Sequence, residues 1–361
     1  MHVMIQNQQN SPINQDDLHY EKRSLKTKFW IIGFLFLLIV SIPIAIGLGP
    51  VFIHPTTVTK ILFFNVFNGT EVSWSQSDNS IIWMVRTPRV LLAAVVGAAL
   101  AITGVALQAL VRNVLAEPYL LGVSAGASTG AALSLLFGAG AFMGGSALTG
   151  SAFIGALSAT AMVFALAYSG GRFTSVRLLL AGVAIGYVLN ATTSFLIFAS
   201  DAPEGARNVL FWLLGSLTRA TWQSLAIATP LIIIGFIMLF LWARKLDALN
   251  LGDDTASALG SKPNIIRAKA LCVIALCVGA AVSVSGGIGF VGLIIPHVAR
   301  LIVGNVHRRL LPVAGLLGAS FLIWSDLLAR MIFAPRELPL GIVTAIIGAP
   351  FLFFLVRRMK S

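Results

Sequence analysis

The chain is 361 residues long, 57% hydrophobic and only 11% charged, with a formal net charge of +12 and a mean hydropathy of +0.91. A soluble globular domain carries about twice that share of charge, so a soluble enzyme is excluded and the bilayer is the solvent. The basic residues stand in short clusters between apolar runs, not in a stripe interleaved with aromatics, which excludes a nucleic-acid groove binder and fits topology signals.

Residues 1–28 read as a polar cytoplasmic tail, disordered, with Asp16, Asp17 and Glu21 ahead of Lys22, Arg23, Lys26 and Lys28. The apolar run 29–49 lacks the small-residue cleavage site of a signal peptide and is long enough to span, so it is expected to be an uncleaved first helix. Further spans of about 20 residues are predicted at 90–111, 119–138, 148–169, 178–200, 222–243, 310–329 and 338–356.

The run 270–304 is too long for one span and short for two. Basic residues on both of its flanks (Arg267 and Lys269 before, His307, Arg308 and Arg309 after) predict a hairpin turning near Gly286 and Gly287. Ten spans then follow, with both termini cytoplasmic. On that count Lys60, Arg86, Arg89, Arg207, Arg219, Arg330 and Arg336 face outward, and the other 18 of the 25 Lys and Arg face inward. A single span there would turn the basic C-terminus outward.

Small residues recur within the spans. Gly122, Gly126 and Gly130 form a doubled GxxxG, and Gly182 with Gly186 repeats the spacing. Lipid tails supply no hydrophobic drive between helices, so close backbone approach is what this pattern offers. Cys272 and Cys277, five apart in one apolar segment, read as buried small residues rather than a metal or redox pair.

The run Gly287-Ile-Gly-Phe-Val-Gly292 matches a dinucleotide fingerprint, but it lies inside an apolar stretch without the strand, helix and acidic residue that the fingerprint requires. It reads as a glycine-rich membrane turn. No phosphate-binding G-x-x-x-x-G-K-[ST] loop occurs, and no row of membrane-buried carboxylates suits ion-coupled transport. The polar residues within spans are neutral: Gln108, Asn190, Thr192, Thr193 and Ser194. The sequence therefore holds no catalytic or metal site and no cofactor of its own, and the energy for transport has to come from a partner.

Two polar features stand apart. The segment 247–262 reads as a cytoplasmic loop with a short helix, Asp253 and Asp254 near its start and Gly260 near its end; it is either a solvated connector or a docking element. Outward arginines Arg86, Arg89 and Arg330 run against the inside bias. They either snorkel to headgroups, with Asp326 pairing Arg330 four residues on, or receive an acidic extracytoplasmic partner.

The sequence resembles the iron-chelate and cobalamin permeases of ABC importers (FecCD-like, BtuC-like) across residues 29–358. The resemblance rests on Arg86-Thr-Pro-Arg89; Gly97-Ala-Ala-Leu-Ala-Ile-Thr-Gly104; Asn113-Val-Leu-Ala-Glu-Pro118 with Leu121-Gly-Val-Ser124; Arg177-Leu-Leu-Leu-Ala-Gly182; Gly286 through Pro296-His297; and Glu337-Leu-Pro-Leu-Gly through Gly348-Ala-Pro350. It implies an all-α integral membrane protein of the BtuC-like type II ABC importer fold, with a ten-helix permease domain at 29–361 and a coupling loop at about 247–262. It also implies that Arg86, Arg89 and Arg330 receive acidic residues of a substrate-binding protein. In the same way Leu249, Leu251, Gly252, Asp253, Asp254, Ala258, Leu259 and Gly260 become the coupling loop seated in an ATPase subunit. Asn113 and Leu115, and Thr174 and Ser175, become cytoplasmic gates; Val114 stands where relatives commonly carry proline. Asn190, Thr193 and Thr344 are placed on a translocation path between two permease copies. ATP and Mg would be bound by the two partner ATPases, in the bacterial inner membrane.

The expected cargo is an iron chelate, a ferric siderophore first, with haem or cobalamin as the alternative within the family. A secondary carrier or channel without ATPase is the alternative from another class. His297, which follows Pro296 within the general motif, is not read as a haem ligand.

Overall fold

The computed structural model describes residues 15–67, 74–168 and 174–359. Fifteen α-helices run in chain order, and no strand occurs among the described residues. The first is α1, Gln15–Gly47, so residues 15–28, expected in the polar tail, are helical here; residues 1–14 lie outside the described residues. Next come α2, Pro55–Phe67, and α3, Gln76–Asn79, whose N-cap Ser75 accepts from the Asp78 amide. A π-helical segment, Ser80–Arg86, leads without interruption into α4, Thr87–Val111.

Arg112, left-handed with φ of 55°, ends α4. A 3-10 turn at Pro118–Leu121 and Gly122 lead to α5, Val123–Phe137, which stops at left-handed Gly138. Then follow α6, Ala147–Ala167, and α7, Ser175–Phe198, capped by the Thr174 side chain. The next helices are α8, Pro203–Leu213, and α9, Trp222–Leu241, opened by a reciprocal cap between Thr221 and Ser224. The polar segment holds α10, Ala243–Leu251, and α11, Asp253–Ala258. The remaining helices are α12, Pro263–Ser285; α13, Val291–Val303; α14, His307–Met331; and α15, Leu340–Met359.

Among the described residues, seven helical stretches are long and apolar enough to cross a membrane, and Val123–Phe137, Val291–Val303 and Leu340–Leu355 are shorter apolar helices. The expected break in 270–304 falls at Gly286, between one full-length helix, α12, and one short one, α13, rather than between two short ones.

Burial sorts the long helices into an inner and an outer set. The apolar windows of α4, α12 and α14 are 72–78% buried, whereas those of α1, α7 and α9 are 17–22% buried. In a bilayer the outer set meets lipid or another subunit, and α4 is the pillar, packed against α14, α12, α13 and α9.

Backbone contact between small residues holds the pillar. Gly97 of α4 faces the carbonyl of Gly318 in α14, and Gly104 faces that of Gly292 in α13, so close that no Cβ fits at either position. Gly126 and Gly130 of α5 meet Gly155 and Ser151 of α6 in the same way. Gly122 plays a different part from the other two members of its expected repeat: it is the left-handed turn before α5, lying against Gly182 and Gly186 of α7.

The breaks in the helices are satisfied inside the protein. The Phe290 amide, at a residue with φ of 71°, donates to the Glu117 carboxylate at 2.6 Å, and the Ile288 amide donates to the Tyr119 hydroxyl at 2.8 Å. Nearby, the Ser216 amide donates to Ser285, and the amides of Leu340 and Gly341 donate to Gly215 and Leu214. Irregular backbone at membrane depth survives only where protein groups replace the missing water in this way.

Candidate functional site

Three arginines gather at the end of the bundle where α1 stops and α4 starts. Arg86 donates to the carbonyls of Ile46, Gly47 and Val51, and Arg330 donates to those of Ala45 and Leu48. These are the last-turn carbonyls of α1 and those just beyond it, which have no intrahelical partner, and the negative end of a helix dipole favours cations there. Arg89 grips Asp326 through Nε and Nη2 at 2.9–3.2 Å and reaches Glu337 at 2.9 Å. Asp326 also takes Arg330 Nε at 3.1 Å, the i,i+4 pair legible in the sequence.

The family resemblance gives these three arginines the acidic residues of a binding protein as partners. The structure places them inside, 3–6% exposed, with carbonyls and carboxylates of the chain already on their guanidinium groups. Three cations face two carboxylates, so the cluster keeps a net positive charge. Glu337, with its side chain 31% exposed, is its outermost acid. A cavity of about 250 Å³ opens beside it, lined by Glu337, Arg219, Asn208 and several Ser and Thr residues.

At the opposite end of α4 lie the residues expected as gates. The Asn113 side chain accepts from the Leu115 amide at 2.9 Å and closes a tight turn after α4. Ser175 Oγ donates to the Leu110 carbonyl in the last turn of α4, and Thr174 caps α7, so the two gate segments are joined.

Of the residues expected on the path, Asn190 is exposed on α7, beside Tyr187 and Ser194 on the same helix. Thr193 and Thr344 are 4% and 0% exposed. Thr193 Oγ1 lies 2.9 Å from Thr129 Oγ1 of α5, and Thr344 Oγ1 donates to Gly341. Thr193 thus ties α7 to α5, whereas the Thr344 bond stays within α15; both side chains are buried in the protomer.

The polar segment holds the expected short helix, α11, between Gly252, φ of 124°, and Gly260, φ of 75°, but residues 247–251, expected as loop, belong to α10. Leu249 is fully buried, while Leu251 and Leu259 are 70% and 66% exposed on an otherwise polar stretch, together with Asp254 and Ala258. Asp253 is clasped by both terminal nitrogens of Arg267, at 2.8 and 2.6 Å, with Arg112 at 3.5 Å. A second tie joins α10 to α14, where Asp247 Oδ1 accepts from the backbone amide of His307 and lies 2.6 Å from its Nδ1. Sequence reading found the loop but missed both ties, since each joins residues 14 or 60 positions apart.

The hydrogen bonds from Arg267 hold the Asp253 carboxyl below its ordinary value; partial burial opposes this, and the charges of Arg267 and Arg112 add to it. A depressed carboxyl contributes stability above its unfolded value and loses it as pH falls through the folded one. The clasp is therefore expected to open below a pH of about 4. Amide exchange across 251–262 should rise there in the wild type, and Asp253→Asn should exchange fast at every pH. Identical pH profiles for the two would refute the clasp.

Residues 37–358 match the FecCD transport family. The chain is 40% identical to the ABC transporter permease protein YvrB of Bacillus subtilis (strain 168), over 92% of this chain and 94% of that one. It is also 40% identical to the hemin transport system permease HmuU of Yersinia pestis, over 80% and 87% of the two chains. Against the vitamin B12 import permease BtuC of Vibrio cholerae the identity is 42%, over 80% and 86%. A solved metal-chelate type ABC transporter in an inward-facing conformation matches with a TM-score of 0.78 at 31% identity, over 91% of this chain and 98% of that one. An all-helical, multi-pass bundle that carries these motifs in order over nearly its whole length belongs to the FecCD transport family, the permease subunits of ABC importers, whose ATP is used by a separate subunit.

Proposed function

We propose that the chain is one of two identical permease subunits of a bacterial inner-membrane importer for an iron chelate, a ferric siderophore in the first place. Seven long and three shorter apolar helices would make its ten crossings, with both termini cytoplasmic as the charge distribution requires. Two ATPases would dock inside and a substrate-binding protein outside.

The observation that carries this reading is α11. This six-residue helix is flanked by Leu251 and Leu259, both exposed to solvent, while Arg267 and Arg112 hold its first residue, Asp253. Exposed leucines on a rigidly anchored polar loop suit a partner's apolar cleft. Through α10 and the Asp247–His307 tie, a push on this loop reaches α14. At its other end α14 holds Asp326 and Arg330 in the arginine cluster.

For the docking role of Arg86, Arg89 and Arg330, the surplus positive charge of the cluster is the support. An incoming carboxylate would displace Glu337, the exposed acid, rather than buried Asp326. The cargo's path is proposed along the free face of α7, past Asn190, with Thr193 tying that helix to α5 behind it and the joined segments at Asn113, Leu115, Thr174 and Ser175 closing its inner end. A neutral face holds a bulky chelate weakly, which passage favours.

Iron chelates come first because similar chains are named for Fe(3+)-citrate and Fe(3+)-hydroxamate import, as well as for hemin and vitamin B12. The test is ATP-driven uptake into proteoliposomes containing the permease, its ATPase and its binding protein. A radio-iron siderophore should accumulate, and replacing 253–260 by a Gly/Ser linker should abolish both uptake and ATPase retention. Accumulation of haem or cobalamin in its place would overturn the cargo, and ATPase retention by the linker variant would overturn the coupling role.

A further inference from the structure

We propose that a cationic pocket at the ends of α9 and α12 binds the headgroup of an anionic phospholipid. The pocket has a volume of about 260 Å³, and its lining includes Lys245, Lys262, Lys269, Trp242, Ile265 and Ile266. No carboxylate is among its lining residues. The three lysines are exposed, whereas the nearby acids Asp247 and Asp253 are committed to His307 and Arg267. Three lysines therefore line one cavity whose lining holds no carboxylate.

The position selects the ligand. Trp242 directly follows the last residue of α9, Lys262 is the N-cap of α12, and both helices are long and apolar enough to span. The cavity thus sits at the level where hydrocarbon gives way to water. Its floor of Trp242, Ile265 and Ile266 offers an apolar surface to the glycerol and upper acyl chains, and Trp is favoured at that depth. The lysine rim offers point charges to a phosphate. Basic pockets between membrane helices take anionic lipid headgroups on this principle, and the dipole at the start of the 23-residue helix α12 adds to the field. A water-soluble anion would use the rim but gain nothing from the floor.

The site depends on the orientation proposed above only for its leaflet, which becomes the cytoplasmic one. Headgroup capture there would anchor the base of α12, from which Arg267 reaches to Asp253 of the coupling segment.

The test uses the full-length permease with its ATPase in detergent, mixed with phosphatidylglycerol and phosphatidylcholine of matched chains and weighed by native mass spectrometry. The wild type should retain phosphatidylglycerol selectively. The K245A/K262A/K269A variant should lose that preference, by on the order of a hundredfold if each charge acts fully, and the corresponding triple arginine variant should keep it. Displacement of bound lipid by excess inorganic phosphate would assign the pocket to free phosphate and overturn the lipid reading. Equal retention of both lipids, or of phosphatidylglycerol by wild type and alanine variant alike, would overturn the site. Loss of the ATPase from the alanine variant with lipid binding intact would reassign the pocket to the subunit interface. Because binding is read without transport, a wrong cargo or a wrong orientation leaves these outcomes unchanged.

Discussion

Asp326→Ala is expected to cost the permease about 3–5 kcal/mol of folding stability. Asp326 is 1% exposed and is shared by Arg89 and Arg330, which are themselves buried. Truncation leaves two guanidinium groups in a low-dielectric setting with their desolvation uncompensated. Arg330 also caps α1, so the strain spreads to the first helix. The comparison that isolates burial is Glu337→Gln, which removes the other acid of the same cluster. Its side chain is 31% exposed, and water replaces the lost partner, so the cost should stay at about 1 kcal/mol or less. Thermal unfolding of the two variants in the same detergent checks this. Equal midpoints would mean that the network is not the buried device described here.

The second large effect is expected at Gly97. A Cβ there meets the Gly318 carbonyl and the Leu322 side chain, and backbone cannot rotate away as a side chain does. Gly97→Leu should force α4 from α14, at the upper end of the roughly 1–3 kcal/mol that overpacking costs. Association with the ATPase should fall as well, because α14 also carries the His307 tie to the coupling segment. Gly33→Leu on α1 is the control. Nothing lies within 4 Å of a Cβ at Gly33, so the change should be neutral. A Gly97 variant as stable as the Gly33 variant would contradict the backbone-to-backbone seam.

Composition and basic flanks were enough to locate the long helices, the break near Gly286 and the short helix beginning at Asp253, because each leaves a local mark: an apolar run, a glycine pair, two acids before a glycine. Orientation within the bundle was not legible. Helices apolar all round carry no stripe that tells lipid from protein; only the family resemblance put Thr193 and Thr344 on a path, and both are buried within the protomer. Arg86 and Arg89 read as surface charges because the groups that hold them, the end of α1, Asp326 and Glu337, lie 35 to 248 residues away. The short helices α2 and α8 escaped notice since neither is long enough to raise a spanning signal.

The interrupted helices carry a consequence for the membrane itself. At about 1.5 Å per residue, the 13 residues of α13 rise about 20 Å and the 15 of α5 about 22 Å. Both fall short of a hydrocarbon layer of about 30 Å, and the remainder is made up by the turns at 286–290 and 118–122, whose amides are satisfied by protein. Hydrophobic height therefore changes from one helix to the next, since short α5 packs against full-length α6 and α7, and short α13 against α4 and α14. Where a short crossing meets lipid, the bilayer thins locally or the body tilts to relieve the mismatch, so acyl-chain length becomes a variable that acts on the protein from outside.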